Sequence, residues 1–317
     1  MDILRSIGIT EPVLQFMLVN AILGLSIYLT LYTGMFSLAN AGFMAIGAYT
    51  SVILTQLAGW SLGPAIIGGM LLAGVIAVPI GLPVLRLRDI YLAIATIGFG
   101  EVVRIVLLNF DNVSASVVEL VTGEAQRVVI VQGGSGIKRI PVLTETWHLV
   151  VFLIIVGYFL ARLHRARFGR AMAAIRQDEQ AAANMGINVV YTKNAVFVMS
   201  AMLAAAAGAF SGHLTRVITP SGYDFGQAVD ILAFAVLGGT TTWIGPIVGG
   251  MVLGALPEVL RPVQQYRGVL NGLVLLLMIV YVPGGLVNPA GAVRLWQRLR
   301  GRESDTALKP ETPTAVG

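Results

Sequence analysis

Long apolar runs separated by short polar breaks make up most of this chain, and several approach or exceed the roughly 18 residues a helix needs to cross a bilayer. The pattern predicts a first span over 13–32, closed by a polar, small-residue interruption at 33–42. A shorter second span follows over 43–57, and Gly63 and Pro64 open a third that ends at Arg86, Arg88 and Asp89. A fourth covers 91–110 and carries Glu101 and Arg104. Residues 111–145 are the largest hydrophilic insertion, with Asn112, Gly123, Gly133, Gly134 and Pro141. A fifth span over 147–163 runs into a charged stretch, 165–192. Beyond it the pattern predicts a sixth over 194–214, a seventh over 227–237, an eighth from Gly245 and Pro246, and a ninth over 269–282. The seventh and eighth are short enough for one to be half-inserted. The resulting fold class is an all-α polytopic membrane protein with about nine transmembrane segments. Its membrane domain is 1–290, with halves at about 13–110 and 193–285. The tail, 291–317, is basic, then polar with proline, and is expected to be partly disordered.

The charged stretch GRAMAAIRQDEQAAANMGIN (169–188) stands between two apolar spans. Arg162, Arg165, Arg167, Arg170 and Arg176 crowd its N-terminal side and Lys193 closes the other. Asp178 and Glu179 are placed to open a short helix, where carboxylates meet the positive end of the helix dipole. Ala181, Ala182 and Ala183 are strong helix formers without bulk, and Gly186 is a natural C-terminal stop. A short, small-faced helix with a fixed end suits a surface that fits a groove on another protein. An ordinary helical loop at the membrane surface is the plainer alternative.

Charge sets the orientation. With the 165–192 loop on the cytoplasmic side, Arg86, Arg88, the loop cations and Arg294, Arg298, Arg300, Arg302 and Lys309 all fall inside, most of the chain's 21 Lys and Arg. That satisfies the positive-inside rule, puts the N-terminus outside and leaves the 111–145 loop on the outer side of the membrane. An internal repeat fits the same layout: GPAIIGGMLLAG (63–74) returns as GPIVGGMVLG (245–254), each preceded by a Gly-containing polar break. An odd offset of five spans gives the two halves opposite orientation, the inverted-repeat plan of many transporters.

Composition narrows the function. The chain is 56% hydrophobic and 12% charged, about half the charge of a soluble domain, with a mean hydropathy of +0.81. It has no cysteine, so it carries no disulfide and no thiolate metal site. His148, His164 and His213 are isolated and read as loop or interfacial residues. The N-terminus shows no signal-peptide pattern, so the first apolar run is expected to be retained as a span. The excess positive charge, +5, lies in loops and tail and lacks the basic stripe with interleaved aromatics of a nucleic-acid binder. No G-x-x-x-x-G-K-[ST] occurs, and neither does H-E-x-x-H. The chain therefore does not hydrolyse ATP by a P-loop, and no enzymatic activity or cofactor is expected of it.

Three further groups of residues are candidates for function. Glu101 and Arg104, three apart on one helical face, can pair and offset the cost of burying either, which reads as a structural clasp. Ser37, Asn40, Gln227 and Asp230 sit at the breaks, where helix termini and polar side chains can line a substrate path and meet a zwitterion's charges. Interfacial capping explains the same four equally well. Gly68, Gly69, Gly249, Gly250 and Ala204 to Ala207 permit close helix packing.

The charged stretch resembles the EAA-type coupling loop of ABC importer permeases. Its wording is close to the LivM-type branched-chain amino acid permeases, which read roughly R-A-I-R-x-D-E-x-A-A-x-x-M-G-I-N; residues 173–188 follow that nearly throughout. SLANAGFMAIGAY (37–49), YLAIATIGFGE (91–101) and LGG (237–239) extend the resemblance over most of the chain. Gln180 stands where the general importer motif has its acid, which the LivM-type pattern carries at Glu179. Asn40 stands where that family commonly has His, and another N-terminal span is common there. The resemblance implies a permease subunit of an ABC importer, multi-pass in the bacterial inner membrane. Its implied partners are a second, LivH-like permease, two cytoplasmic ABC ATPase subunits and a periplasmic substrate-binding protein, besides membrane lipid. The implied substrate is a branched-chain amino acid or related small amide or carboxylate. Asp178, Glu179, Ala181, Ala182 and Gly186 would then couple ATPase closure to the permease. A self-sufficient secondary transporter or channel is the alternative, and would require a coupling-ion site.

Overall fold

The computed structural model describes residues 10–87, 89–111, 131, 133–259, 272, 276 and 285–287. The expected ninth span, the tail, Arg88 and most of the 111–145 insertion lie outside the described residues.

The described chain is helical. α1 (Glu11–Tyr32) starts with Pro12 and Glu11 in its first turn, where a missing N–H and a carboxylate are both favoured. It stops at Gly34, whose φ of +83° suits glycine. The amides of Gly34 and Met35 bond back to the carbonyls of Leu31 and Thr30, at 3.0 and 2.9 Å, a Schellman closure. After the 33–39 break come α2 (Asn40–Leu57), α3 (Leu62–Val84) and α4 (Asp89–Leu108). A short ribbon pairs Ile137–Lys138 with Val217–Ile218. α5 (Thr146–Arg165) is followed, after the single residue Ala166, by α6 (Arg167–Gln177). Then come α7 (Glu179–Asn184), α8 (Val189–Gly212), a 3₁₀ turn (Pro220–Tyr223), α9 (Phe225–Gly238) and α10 (Ile244–Val259).

α1 and α8 form the centre. α8 packs on α1, α2 and α3, while α1 packs on α8, α10, α9 and α5. Both are 72% buried over their spanning stretch and mostly apolar all round, as suits a helix surrounded by others. Contact is close because small residues let backbones meet: a Cβ on Gly47 of α2 would run into the Ala205 carbonyl of α8, and one on Gly208 into that of Met44. The same relation joins α1 and α10, where Gly24 meets the Pro246 carbonyl and Gly250 that of Asn20. α3, α4 and α5 lie outside and expose apolar side chains such as Leu71, Val75, Ile94, Ile154 and Tyr158.

α1, α3, α4, α5 and α8 are long and apolar enough to cross a membrane. The chain is a polytopic membrane protein. α2, 18 residues long, is largely buried among other helices. The expected seventh and eighth spans, α9 and α10, take a different form. Their connecting turn stops inside the bundle, because Trp243 packs on Gly157 of α5 and Pro246 on Gly24 of α1. Each of those glycines is eight residues from its helix end, about 12 Å at 1.5 Å per residue. α9 and α10 thus form a hairpin that enters from one end and turns back. The backbone amides of Leu286 and Val287 bond to the Leu237 and Gly238 carbonyls near that turn, at 2.9 and 3.1 Å.

The ends of the bundle sort cleanly. One gathers the 33–36 break, the α3–α4 turn and the stretch from His164 to Lys193. The other gathers Thr55, Thr144, His213 and Ile218. The GP pairs of the sequence repeat open α3 and α10, which pack on α8 and α1 respectively.

Candidate functional site

The charged stretch folds into two helices rather than one. α6 buries Gly169, Met172 and Ile175, an i, i+3, i+6 series that seats it on the bundle. Asp178 then breaks the helix with an extended conformation and caps α7. Its Oδ1 accepts from the backbone N–H of Gln180 and Ala181 at 2.8 and 2.9 Å, satisfying two of the donors a helix start leaves free. Gly186, at φ +83°, ends the helix as anticipated. Its amide bonds to the Ala183 carbonyl at 3.0 Å, and that of Ile187 bonds to Ala182 at 3.1 Å, again a Schellman closure.

The faces of α7 differ from those the alanines suggest. Ala182 is buried against its own subunit, so it seats the helix. The outward surface is Ala181, Ala183, Asn184 and above all Met185. Met185 is 85% exposed, more than any other large apolar side chain among the described residues. Its position immediately before the glycine stop puts it at the exposed end of the helix. Glu179 turns inward to Lys193, with Oε2 and Nζ 2.6 Å apart. That pair ties the start of α7 to the first turns of α8.

Beneath α7 lies a cavity of about 340 Å³, lined by Gly34 and Met35 of the α1–α2 break, Asp89 at the start of α4, and Asp178, Glu179 and Lys193. α6 reaches the same break directly: a Cβ on Gly34 would lie 3.2 Å from Cα of Arg176. α5 is tied to α1 beside it. His164 Nδ1 lies 2.7 Å from the Leu160 carbonyl and so carries its hydrogen, leaving Nε2 to accept from the Tyr28 hydroxyl at 2.9 Å.

A few residues past the break, Asn40 begins α2 inside the bundle. Its Nδ2 donates to Ser26 Oγ of α1 at 2.8 Å and to Ser200 Oγ of α8 at 3.1 Å. Ser200 Oγ in turn donates to the Ser26 carbonyl at 2.7 Å, and Ser26 Oγ to that of Leu23. All three side chains are buried. Ser26 and Ser200 carried no signal in the sequence, since nothing there brings together helices 174 residues apart.

The four break residues fall into two separate pairs. Ser37 is buried and accepts weakly from the Ala39 amide at 3.4 Å. Gln227 and Asp230 sit on α9, half-buried and exposed, under the Asp224 cap, which accepts from the Gln227 amide at 3.1 Å. Among the described residues no hydrogen bond joins the two pairs. Glu101 and Arg104 do meet: the guanidinium Nε donates to both carboxylate oxygens at 2.9 and 3.0 Å, and a second nitrogen to Oε1. The pair stands on the outer side of α4, partly exposed.

Comparison with known proteins bears on this arrangement as a whole. The family described as "Branched-chain amino acid transport system / permease component" matches residues 9–283. The high-affinity branched-chain amino acid transport system permease protein LivM of Escherichia coli K12 is 30% identical over 302 residues, covering 84% of this chain and 65% of that protein. LivH, a permease protein of that system in the same organism, is 30% identical over 143 residues, 44% of this chain and 46% of its own. The ribose import permease protein RbsC of Escherichia coli K12 is 26% identical over 280 residues, 84% of this chain and 83% of its own. This chain thus spans just under two thirds of the length of LivM. No solved structure matches it.

Proposed function

The chain belongs to the family of branched-chain amino acid transport system permease components, and on that footing we propose that it is a transmembrane subunit of an ATP-driven ABC importer. The family is one of transport permeases, not enzymes. The observation that carries the proposal is α7: a helix capped at both ends, seated through Ala182 and the Glu179–Lys193 pair, and presenting Met185 outward. Such an element has fixed ends and exposes one large apolar side chain beside charged residues, which suits the groove of a cytoplasmic ATPase. The partners are then two ATPase subunits, a second LivH-like permease and a periplasmic binding protein. The site of action is the bacterial inner membrane, with α7 inside and the 111–145 loop outside.

The substrate is a branched-chain amino acid or a related small amide or carboxylate. LivM and LivH bear such names, and RbsC, a ribose permease, shares less identity. In our reading, ATPase closure presses α7, and α6 passes the movement to the α1–α2 break through Arg176 against Gly34. The Ser26–Asn40–Ser200 junction then changes the packing of α1, α2 and α8. Gln227 and Asp230 are reachable in the present conformation, whereas Ser37 and Asn40 join a substrate path after that junction opens. The repeat supports an inverted relation, since α3 packs on α8 as α10 packs on α1.

The test is purification of the tagged subunit from its native membrane. Wild type should bring down an ATP-hydrolysing subunit, and Met185→Asp should lose most of it while the permease still inserts. Recovery of no ATPase with the wild-type chain would end the importer reading. Full recovery with Met185→Asp would show that α7 does not dock.

A further inference from the structure

The outward face of α5 is an apolar stripe that turns basic at one end. Leu149, Val156, Gly157 and Leu160 are buried, on the side where α5 packs on α1. Trp147, Val151, Ile154, Tyr158, Arg162 and Arg165 are exposed at spacings of three and four, which places them on a single helical face. Trp147 and Arg165 are about 27 Å apart at 1.5 Å per residue, close to the roughly 30 Å of a bilayer's hydrocarbon core. The stripe therefore runs from one interface to the other, and Arg162 stands about one turn inside.

Its two ends differ in charge. Beside Trp147 the groups are acidic: the indole Nε1 donates to Glu145 at 2.7 Å, and Glu11 of α1 accepts from Thr146 at 3.1 Å. At the other end Arg162 and Arg165 are followed, across Ala166, by Arg167 and Arg170 of α6. Arg170 Nη1 donates to the Arg165 carbonyl at 3.2 Å, which holds the first turn of α6 against the end of α5. All four arginines are exposed. Among the described residues the ion pairs are Glu101–Arg104 and Glu179–Lys193, and neither involves them. Arg162 lies over the Tyr158 ring, 5.9 Å from its centre. Its guanidinium thus points back along the helix toward the hydrocarbon, where a lone cation would extend toward water. A cation held at that level calls for an anion beside it.

We propose that this end of α5 is a binding site for one anionic phospholipid. The phosphate sits on Arg162 and Arg165, Arg167 and Arg170 add positive potential, and the acyl chains lie along Tyr158, Ile154 and Val151. Clustered cations directly beyond a membrane helix favour anionic headgroups, and four of them repel the ammonium of a zwitterionic one. A soluble anion would meet the same cations but would gain nothing from the apolar stripe, whereas a lipid uses both.

The test places the full-length chain, with the subunits that purify with it, in nanodiscs of equal phosphatidylglycerol and phosphatidylcholine. A photoreactive benzoylphenylalanine replaces Phe159, beside the basic end, or Val151, toward the other end; both are exposed. Adducts are identified by mass. At 159 phosphatidylglycerol should exceed phosphatidylcholine by on the order of tenfold, and at 151 the two should be nearly equal. Arg162→Gln with Arg165→Gln should bring the ratio at 159 down to that at 151. Arg162→Lys with Arg165→Lys should keep most of the excess, because the charges remain. Millimolar inorganic phosphate should leave it in place. Equal ratios at the two positions, or an excess that survives the glutamine pair, would overturn the proposal. So would an excess lost equally in the lysine pair, one abolished by free phosphate, or a peptide adduct at 159 in place of lipid. The readout needs no ATPase and holds in either orientation, so its failure is distinguishable from failure of the importer reading.

Discussion

Gly186 offers a direct way to test whether α7 must keep its shape. Its φ of +83° lies where L-residues with a Cβ are strained, by roughly 1–2 kcal/mol for an ordinary side chain and toward the upper end for a β-branched one. Nothing lies within 4 Å of where that Cβ would stand, so the penalty is one of backbone conformation, separate from crowding. α7 has little to set against it: six residues, two bonds to Asp178 and one ion pair to Lys193. A cap of that kind contributes about 0.5–2 kcal/mol, comparable with the strain. Gly186→Val should therefore shift the capped helix toward open forms by a factor on the order of 10, and Gly186→Ala by less. Gly186→Asn should be nearly neutral, because asparagine tolerates the left-handed region. The assay is ATP-driven substrate uptake in proteoliposomes holding the whole importer, with permease and ATPase content measured in each sample. Uptake per complex should fall in the order Gly, Asn, Ala, Val. Equal uptake for Asn and Val would refute the reasoning, since the two differ chiefly in tolerance of positive φ.

Two further outcomes are expected. Asn40→Ala removes two buried hydrogen bonds joining α1, α2 and α8; at about 0.6 kcal/mol each, and up to about 1.7, for such bonds between membrane helices, it should lower the melting temperature of the detergent-solubilised subunit measurably without unfolding it. An unchanged melting temperature would show that the junction contributes nothing to packing. Because the chain lacks cysteine, Ser135→Cys can be labelled alone, and an impermeant maleimide should reach it from the periplasmic side; labelling from the cytoplasmic side alone would invert the proposed orientation.

The parts of the structure visible in the sequence are those governed by local rules. Helix length and apolarity marked α1, α3, α4, α5 and α8, and the chemistry of caps marked Asp178 and Gly186. The parts that were not visible depend on which helix lies beside which. Alanines 181 to 183 read alike, and the seating of α6 by Met172 and Ile175 together with the Glu179–Lys193 pair sets which way α7 faces, with Ala182 buried and Met185 exposed. The α9–α10 hairpin has the hydropathy of two short spans, and its depth follows from Gly24 and Gly157, which belong to other helices. Lys193 could be placed beside the loop from sequence, but its pairing with Glu179 requires the turn that returns the chain into α8.

Under the proposed function, these placements make the charged loop and the buried polar junction parts of one device. α6 rests on Gly34, the residue that ends α1, and α7 stands over a cavity whose floor is that same break. α1 is close-packed against α8 and α10 along its length, and interiors of that density move as units and do not deform locally. Pressure on the break therefore has few outlets. One is the cavity of about 340 Å³ beneath α7, and another is the junction of hydroxyls and amide at Ser26, Asn40 and Ser200, which can exchange partners where an apolar contact would have to part. The Tyr28–His164 bond holds α5 to α1 near the same end; under the proposed coupling it would keep the helix that feeds the loop and the helix that receives its push in register while the junction changes.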